Sequence, residues 1–309
     1  MKVLLAGATG AIGVPLVREL TAAGHEVVGL TRNPANATRL VAAGVQPVIA
    51  DVMDRDGLIR ALRETSADAV IHQLTALSKP PAQHRDMAQT NRLRTTGTEH
   101  LLAAAREVGA RRFLTQSIVF GYGYRDHGTT PLSEDAPFGR PDSGSCNPHL
   151  AAMLANERSV LDAPQLDGIA LRYGLFYGAD VETYRAMLQK RKVPVPAHKD
   201  NDLAWIHIDD AARATVAALE HGSAGTAYNI VDDEATSWAR MFTDMADAYG
   251  APAPRRLPGW LIRAAAPYVA AMVLDTSIRV SNAKARTELD WSPRYPTHRD
   301  GLIALAENR

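Results

Sequence analysis

A single cysteine, Cys146, stands among 309 residues, so no disulfide can close within the chain and a reducing compartment, the cytoplasm, is expected. Charge of one sign is equally absent. Thirty-four basic residues face 34 acidic ones, and no broad field points to nucleic acid or to an anionic membrane. Long hydrophobic runs are missing too. The most apolar late stretch, Trp260 to Leu274, is broken by Arg263 and Pro267 and is too short to cross a bilayer. The chain enters an apolar strand pattern at its second residue, so no cleaved leader is expected. His72, His84, His100, His127 and His207 show no metal-ligand spacing, and no metal is expected. No repeat or low-complexity tract is present, and the length allows a large core in one or two domains.

What is there begins at Lys2. Val3–Ala6 is a short apolar run of strand length, glycines follow at 7, 10 and 13, and VPLVREL then opens a helix with Pro15 in its first turn. Strand, glycine turn and helix N-terminus make an anion site, because free N–H groups and the positive end of the dipole face the same point. Gly7 permits the turn, Gly10 lets a pyrophosphate approach the backbone, and Gly13 lets the helix lie close to the strand. A dinucleotide is the expected ligand. The second strand, His25–Leu30, runs into Thr31, Arg32 and Asn33, where an acidic residue would bind the ribose 2′-hydroxyl and repel a 2′-phosphate. A hydroxyl, a guanidinium and an amide stand there instead, and the guanidinium fork suits a phosphate. NADP is therefore expected over NAD.

Further strands read at Val45–Ala50, ending at Asp51 where a carboxylate meets the adenine edge, and at Ala69–Leu74, Phe113–Ser117, Ile169–Leu171 and Ala227–Val231. Helical patterns lie around Leu58 and Leu62, over Asn91–Val108 and over Leu150–Leu161. The alternation predicts a doubly wound α/β fold with about seven parallel strands and a cleft at their C-terminal ends. Loops are expected at TALSKPP (75–81), over the Gly, Pro, Ser and aromatic stretch 121–148, and over 179–202.

In order along the chain, GATGAIG, IADVMD, DAVIHQLTA, TNRLRTTGTEHLLAAA, RRFLTQS, LRYGLFYG, WIHIDDAARA, TAYNIVDD and ELDWSPRY resemble the landmarks of the extended short-chain dehydrogenase/reductases, the fold of nucleotide-sugar epimerases and dehydratases. The resemblance spans nearly the whole chain. It implies a Rossmann NADP-binding domain at 1–178 completed by 203–232, and a smaller, mostly helical substrate subdomain from 179–202 and 233–309. It implies cofactor contacts from Gly7, Thr9, Gly10, Ala11, Ile12 and Gly13 in the phosphate loop, and from Thr31, Arg32, Asn33, Asp51 and Val52 around the adenosine. Toward the nicotinamide it implies Leu74, Thr75, Ala76, Asn91, Gln116, Tyr173 and Leu175. Substrate contacts fall to Ser117, Ile118, Tyr122, His149, Met153 and Phe176, and a dimer through helices 90–108 and 150–162 is implied.

One departure decides the chemistry. The family pairs a tyrosine with a lysine four residues on, and here those places, set by Pro148 and Glu157, hold His149 and Met153. The family's strand-five hydroxyl falls at Ser117, or at Ile118 by strict spacing from Phe113. A tyrosine acid needs a neighbouring cation, and methionine supplies none. Ser117 and His149 are the candidate catalytic residues, His149 either as a substitute acid titrating near neutrality or as a substrate contact. Tyr122, Tyr124 and Tyr173 are further candidate donors. Leu257, Trp260, Leu261 and Tyr268 form either an apolar cap over a lipophilic ligand or ordinary core. A general acid contributes about 10²–10⁴ in rate, whereas positioning a hydride donor contributes about 7–11 kcal/mol. The reading is thus an NADPH-dependent ketoreductase acting on a small, non-sugar carbonyl compound. A nucleotide-sugar epimerase or dehydratase, and a non-catalytic NADP sensor, are the alternatives.

Overall fold

The computed structural model describes residues 1–77, 80–140, 144–198 and 201–307, so parts of the loops expected at 75–81, 121–148 and 179–202, and the last two residues, lie outside the described residues. The first half alternates strand and helix: β1 (Lys2–Ala6), α1 (Gly13–Ala22), β2 (Glu26–Thr31), α2 (Ala35–Ala42), β3 (Gln46–Ile49), α3 (Arg55–Leu62) and β4 (Ala69–His72). Then come a 3-10 turn (His84–Met87), α4 (Ala88–Arg92), a π-turn (Leu93–Gly97), α5 (Thr98–Glu107), β5 (Arg112–Ile118), α6 (Asn147–Leu161) and β6 (Asp167–Tyr173). Together with the strand Thr226–Ile230 they form one seven-stranded parallel sheet in the order Thr226–Ile230, β6, β5, β4, β1, β2, β3. The chain reverses direction across the sheet at β1, between β2 and β4, which opens a crevice at the C-terminal ends of β1 and β4.

The strand pattern explains the layers. β1 is apolar on both faces, as a central parallel strand must be. Val3 and Leu5 join Leu16, Leu20 and residues of the helix Ile208–His221 in one layer, while Leu4 and Ala6 join Leu58, Leu62, Leu101 and Phe113 in the other. A third cluster joins Met87, Phe120, Tyr124, Leu150 and Met153 to Leu203, Trp205, Phe242 and Leu274. Short pairings, Val195–Pro196 with Arg256–Leu257 and Asp202–Leu203 with Thr236–Ser237, tie residues 195–203 to the C-terminal third. Among the described residues no helix is long and apolar enough to cross a membrane.

Two elements differ from the sequence pattern. The helix expected unbroken over 91–108 contains the π-turn Leu93–Gly97, where one extra residue is accommodated per turn. Leu93 is the one large apolar residue in positions 91–100, so the apolar pattern is too sparse there to disclose the bulge. α6 begins at Asn147 rather than Leu150, with Pro148 in its first turn, and this brings His149 inside the helix. α6 is held over β5 by Asn156, whose Oδ1 accepts from Thr98 (2.8 Å) and Thr115 (2.9 Å) while Nδ2 donates to the Gln116 carbonyl (2.8 Å).

Candidate active site

At the phosphate loop the three glycines occupy three different situations. Gly7 has φ +101°, and a Cβ there would lie 2.8 Å from the Gln73 carbonyl at the end of β4. A Cβ on Gly13 would lie 2.0 Å from the Gly7 carbonyl, so only hydrogen lets α1 sit this close to β1. Gly10 is exposed, and a Cβ there would meet nothing nearer than the Gly7 carbonyl at 3.3 Å. The first turn of α1 has no side-chain cap and no acidic residue. Val14 N and Leu16 N bond back to the Gly10 and Ile12 carbonyls, and the positive end of the helix dipole meets no acidic side chain in this turn, which suits a diphosphate.

At the end of β2, Thr31 is buried and its Oγ1 accepts from Asn33 N (3.2 Å), while Asn33 Oδ1 accepts from Ala35 N (3.0 Å) at the start of α2. The Asn33 oxygen is thereby committed to its own turn, and Arg32 is exposed beside it. Asp51 is exposed, its Oδ1 accepting from Met53 N (2.9 Å), and Val52 is buried beneath it. Past β4 the backbone is fixed by side chains: Gln116 Nε2 donates to the Leu74 carbonyl (2.7 Å) and Ala76 N to Thr90 Oγ1 (3.1 Å), leaving Thr75 exposed between them. Leu175 and Phe176, just past β6, are half-buried.

Around the crevice several buried polar atoms have no partner among the described residues: Gln73 Oε1, Asn91 Oδ1, Ser117 Oγ, and Nε and Nη1 of Arg94. Buried polar atoms are rarely left unpaired unless a ligand or water completes them. The uncapped helix, the glycine cradle and the open Gln73 and Asn91 oxygens together fit a nicotinamide dinucleotide.

His149 is buried in the first turn of α6 and is not free. Asn91 Nδ2 lies 2.9 Å from His149 Nδ1, His149 Nε2 lies 3.0 Å from His84 Nδ1, and His84 Nε2 lies 3.0 Å from the exposed Ser145 Oγ. Both imidazoles touch the Tyr268 ring edge-on, at 5.1 Å for His149 and 5.7 Å for His84, and Tyr268 Oη lies 3.2 Å from Tyr124 Oη. Burial, with His84 and the Arg94 cation nearby, pushes the His149 pKa down to about 4. The expectation that His149 titrates near neutrality is therefore corrected. At neutral pH it is an uncharged imidazole that donates through one nitrogen and accepts through the other.

Other expectations are also revised by burial. The Tyr122 hydroxyl donates to Asn229 Oδ1 (2.7 Å) and accepts from Arg172 Nη1 (2.9 Å), and burial raises its pKa to about 12. It belongs to the network around the Arg172–Glu157 ion pair. The Tyr173 hydroxyl is shared between Gln73 Nε2 (2.9 Å) and Thr215 Oγ1 (2.7 Å), and burial raises its pKa, so its side chain braces the sheet. Met153 is fully buried in the third cluster and offers no surface to a substrate. Ser117 remains a buried hydroxyl without a partner, and Ile118 is half-buried against the third cluster. Of the proposed cap, Tyr268 reaches the histidines, while Trp260 is 70% exposed and points away from any core. The sequence pattern did not single out Arg94, which lies in the π-turn, and it weighed His84 only as a metal ligand, its partner His149 lying 65 positions away.

Buried neutral histidines leave a pH signature. His149 and His72 each have a pKa of about 4 against 6.5 for the free side chain, mainly through burial. Below about pH 6.5 the unfolded chain binds protons that the folded chain does not, so stability is complete above that pH and falls as pH drops toward 4. Denaturant midpoints measured between pH 7 and 4 will decline, and His72→Gln will flatten that decline.

The match over residues 3–231 is to the NAD dependent epimerase/dehydratase family. This chain belongs to that family. Within it, a 3-diazoavenalumate denitrifying reductase from a Streptomyces species is 38% identical over 98% of this chain and 99% of its own length. A ketoreductase of Stigmatella aurantiaca, acting on 4-hydroxy-2-methyl-3-oxo-4-farnesyl-3,4-dihydroquinoline-1-oxide, is 25% identical over 99% of this chain and 96% of its own. Among solved structures, the UDP-glucose 4-epimerase of Thermotoga maritima superposes with TM-score 0.81 at 20% identity, covering 99% of this chain and 98% of its own. A human epimerase family protein bound to NADPH superposes with TM-score 0.76 at 22% identity, covering both chains completely. Family membership brings a nicotinamide cofactor and oxidoreductase chemistry, and both reductases and epimerases are among the relatives.

Proposed function

We propose that this protein uses NADPH to reduce a small, non-sugar carbonyl compound, and that it does so without a tyrosine acid. The observation that carries this reading is the site itself: a neutral, hydrogen-bonded His149 and a buried Met153 stand where the family places its acid and its cation. When bound, the cofactor supplies hydride. Gly7, Gly10 and Gly13 with the first turn of α1 hold its diphosphate, Arg32 faces its 2′-phosphate, and Ser117 offers a hydroxyl to the acceptor. His149, its two ring nitrogens held by Asn91 and His84, orients the substrate by fixing the wall it lies against, and the product oxygen takes its proton from water or from the substrate's own hydroxyl. Epimerisation needs repeated proton transfers, so the missing pair argues against it.

The relative from Streptomyces favours a second reading, in which the acceptor is a diazo group on an arene. Hydride addition to the terminal nitrogen of an arenediazonium gives an aryldiazene, which loses N₂ and leaves hydrogen on the ring. The cationic electrophile needs no acid to accept hydride, which suits this site equally. Acetophenones and β-ketoesters on one side, and stabilised diazo-phenols on the other, distinguish the readings by NADPH oxidation and by N₂ release.

Cofactor choice has its own test. Arg32→Ala is expected to weaken NADPH binding about tenfold to a hundredfold by fluorescence titration while leaving NADH binding within about twofold, because only the former loses a charge-assisted contact. Equal losses for both would remove Arg32 from the 2′-phosphate.

A further inference from the structure

Two arginines are buried beside the crevice, and they differ in one respect. Arg172 is paired: its Nε and Nη2 donate to Glu157 at 3.0 and 2.7 Å, and its guanidinium lies 3.9 Å from the centre of the Phe138 ring. Arg94 is only 7% exposed, yet no carboxylate lies against it, and Nε and Nη1 have no hydrogen-bond partner among the described residues. Its surroundings are Tyr124, Tyr268, His149 and His72, all uncharged at neutral pH, and burial lowers its pKa with no acidic group to offset it. An unpaired buried charge is costly, and a folded chain keeps one where a ligand completes it.

Resting on the reductase reading, we propose that Arg94 is the anchor for a carboxylate on the substrate, and that the substrate is an aryl-bearing carboxylic acid. The guanidinium keeps two charged donors, Nε and Nη1, without a partner among the described residues, and a carboxylate oxygen is the acceptor that such donors bind most strongly. The π-turn Leu93–Gly97 sets this side chain at the crevice, between the end of β4 and the aromatic wall of Tyr124 and Tyr268. That wall takes a ring edge-on or stacked, while the acid group meets Arg94. The diphosphate of the cofactor has its own donors at the glycine loop, on the first turn of α1. Arg94 therefore selects among substrates and does not hold the dinucleotide.

Binding tests this without turnover, so failure of the reductase reading and failure of this assignment remain separate. Cinnamate, 3-phenylpropanoate and their methyl esters are titrated into the wild-type protein saturated with NADP⁺, and into Arg94→Met, by calorimetry and thermal melting. At least one of the two acids is expected to bind the wild type and raise its melting temperature, and to bind Arg94→Met at least about tenfold more weakly. The esters are expected to bind both alike, and NADPH affinity to stay within about threefold. Without ligand, Arg94→Met is expected to melt at or above the wild type, because an uncompensated charge has been removed. If Arg94→Met does not fold, Arg94→Lys carries the same comparison, since it keeps the charge and loses the fork. Equal acid binding by both proteins, no binding of either acid by the wild type, or a collapse of NADPH affinity would each overturn the assignment.

Discussion

Gly13→Ala will abolish dinucleotide binding and destabilise the fold, and Gly10→Ala will do only the first. A Cβ on Gly13 lies 2.0 Å from the Gly7 carbonyl and 2.7 Å from the carbonyl carbon of Ala8, both backbone atoms of the turn that links β1 to α1. No side chain can swing aside to relieve that contact, so α1 must move off the sheet. Overpacking typically costs about 1–3 kcal/mol, and a backbone clash belongs at or above the top of that range. At Gly10 the added methyl meets only the Gly7 carbonyl at 3.3 Å, so the fold tolerates it. The methyl nevertheless occupies the surface that a diphosphate must touch. Melting curves and NADPH titrations of the two variants separate the roles. A Gly13→Ala protein with wild-type melting temperature and affinity would show that the helix does not depend on this approach.

Glu157→Ala is expected to cost about 3–5 kcal/mol, a large part of the stability of an ordinary domain. Glu157 and Arg172 are both buried, on α6 and β6, and the carboxylate takes two of the guanidinium donors. Removing it leaves the cation facing Phe138, the Tyr122 hydroxyl and the Glu134 carbonyl, with the half-buried Glu134 carboxyl as the remaining acidic group near it. The double change Glu157→Leu with Arg172→Met should recover much of the loss, because an apolar pair carries no desolvation penalty. Chemical denaturation of the single and double variants checks both statements. A single variant within about 1 kcal/mol of wild type would mean that the pair is hydrated rather than buried.

How much of this was legible depended on distance along the chain. β1, the glycine turn and α1 are contiguous, and apolar runs bounded by glycine set each strand within a residue or two: β2 at Glu26–Thr31 against the expected His25–Leu30. The missing catalytic pair was equally local, since Pro148, His149, Met153 and Glu157 lie on one helix. The company His149 keeps was not. His84 and Asn91 reach it from 65 and 58 positions away, and nothing in a periodic pattern reports such a contact. The low pKa follows from that company and from burial, so reading the imidazole by its free value misjudged it. Arg94 escaped for a related reason. An arginine in a helical stretch reads as a solvated face, whereas Arg94, in the π-turn, is buried with Nε and Nη1 unpaired among the described residues.

The central claim is that hydride reaches an acceptor here without a dedicated acid. It is tested most directly by NADPH carrying deuterium at the transferable position of C4, mixed in single turnover with the ketone and diazo panels, for wild type and His149→Phe. The account predicts deuterium in the product with a primary isotope effect, and a loss of about tenfold or less in His149→Phe with NADPH affinity unchanged. Deuterium in no product despite stoichiometric NADPH binding, or a loss on the order of a thousandfold in His149→Phe, would contradict it.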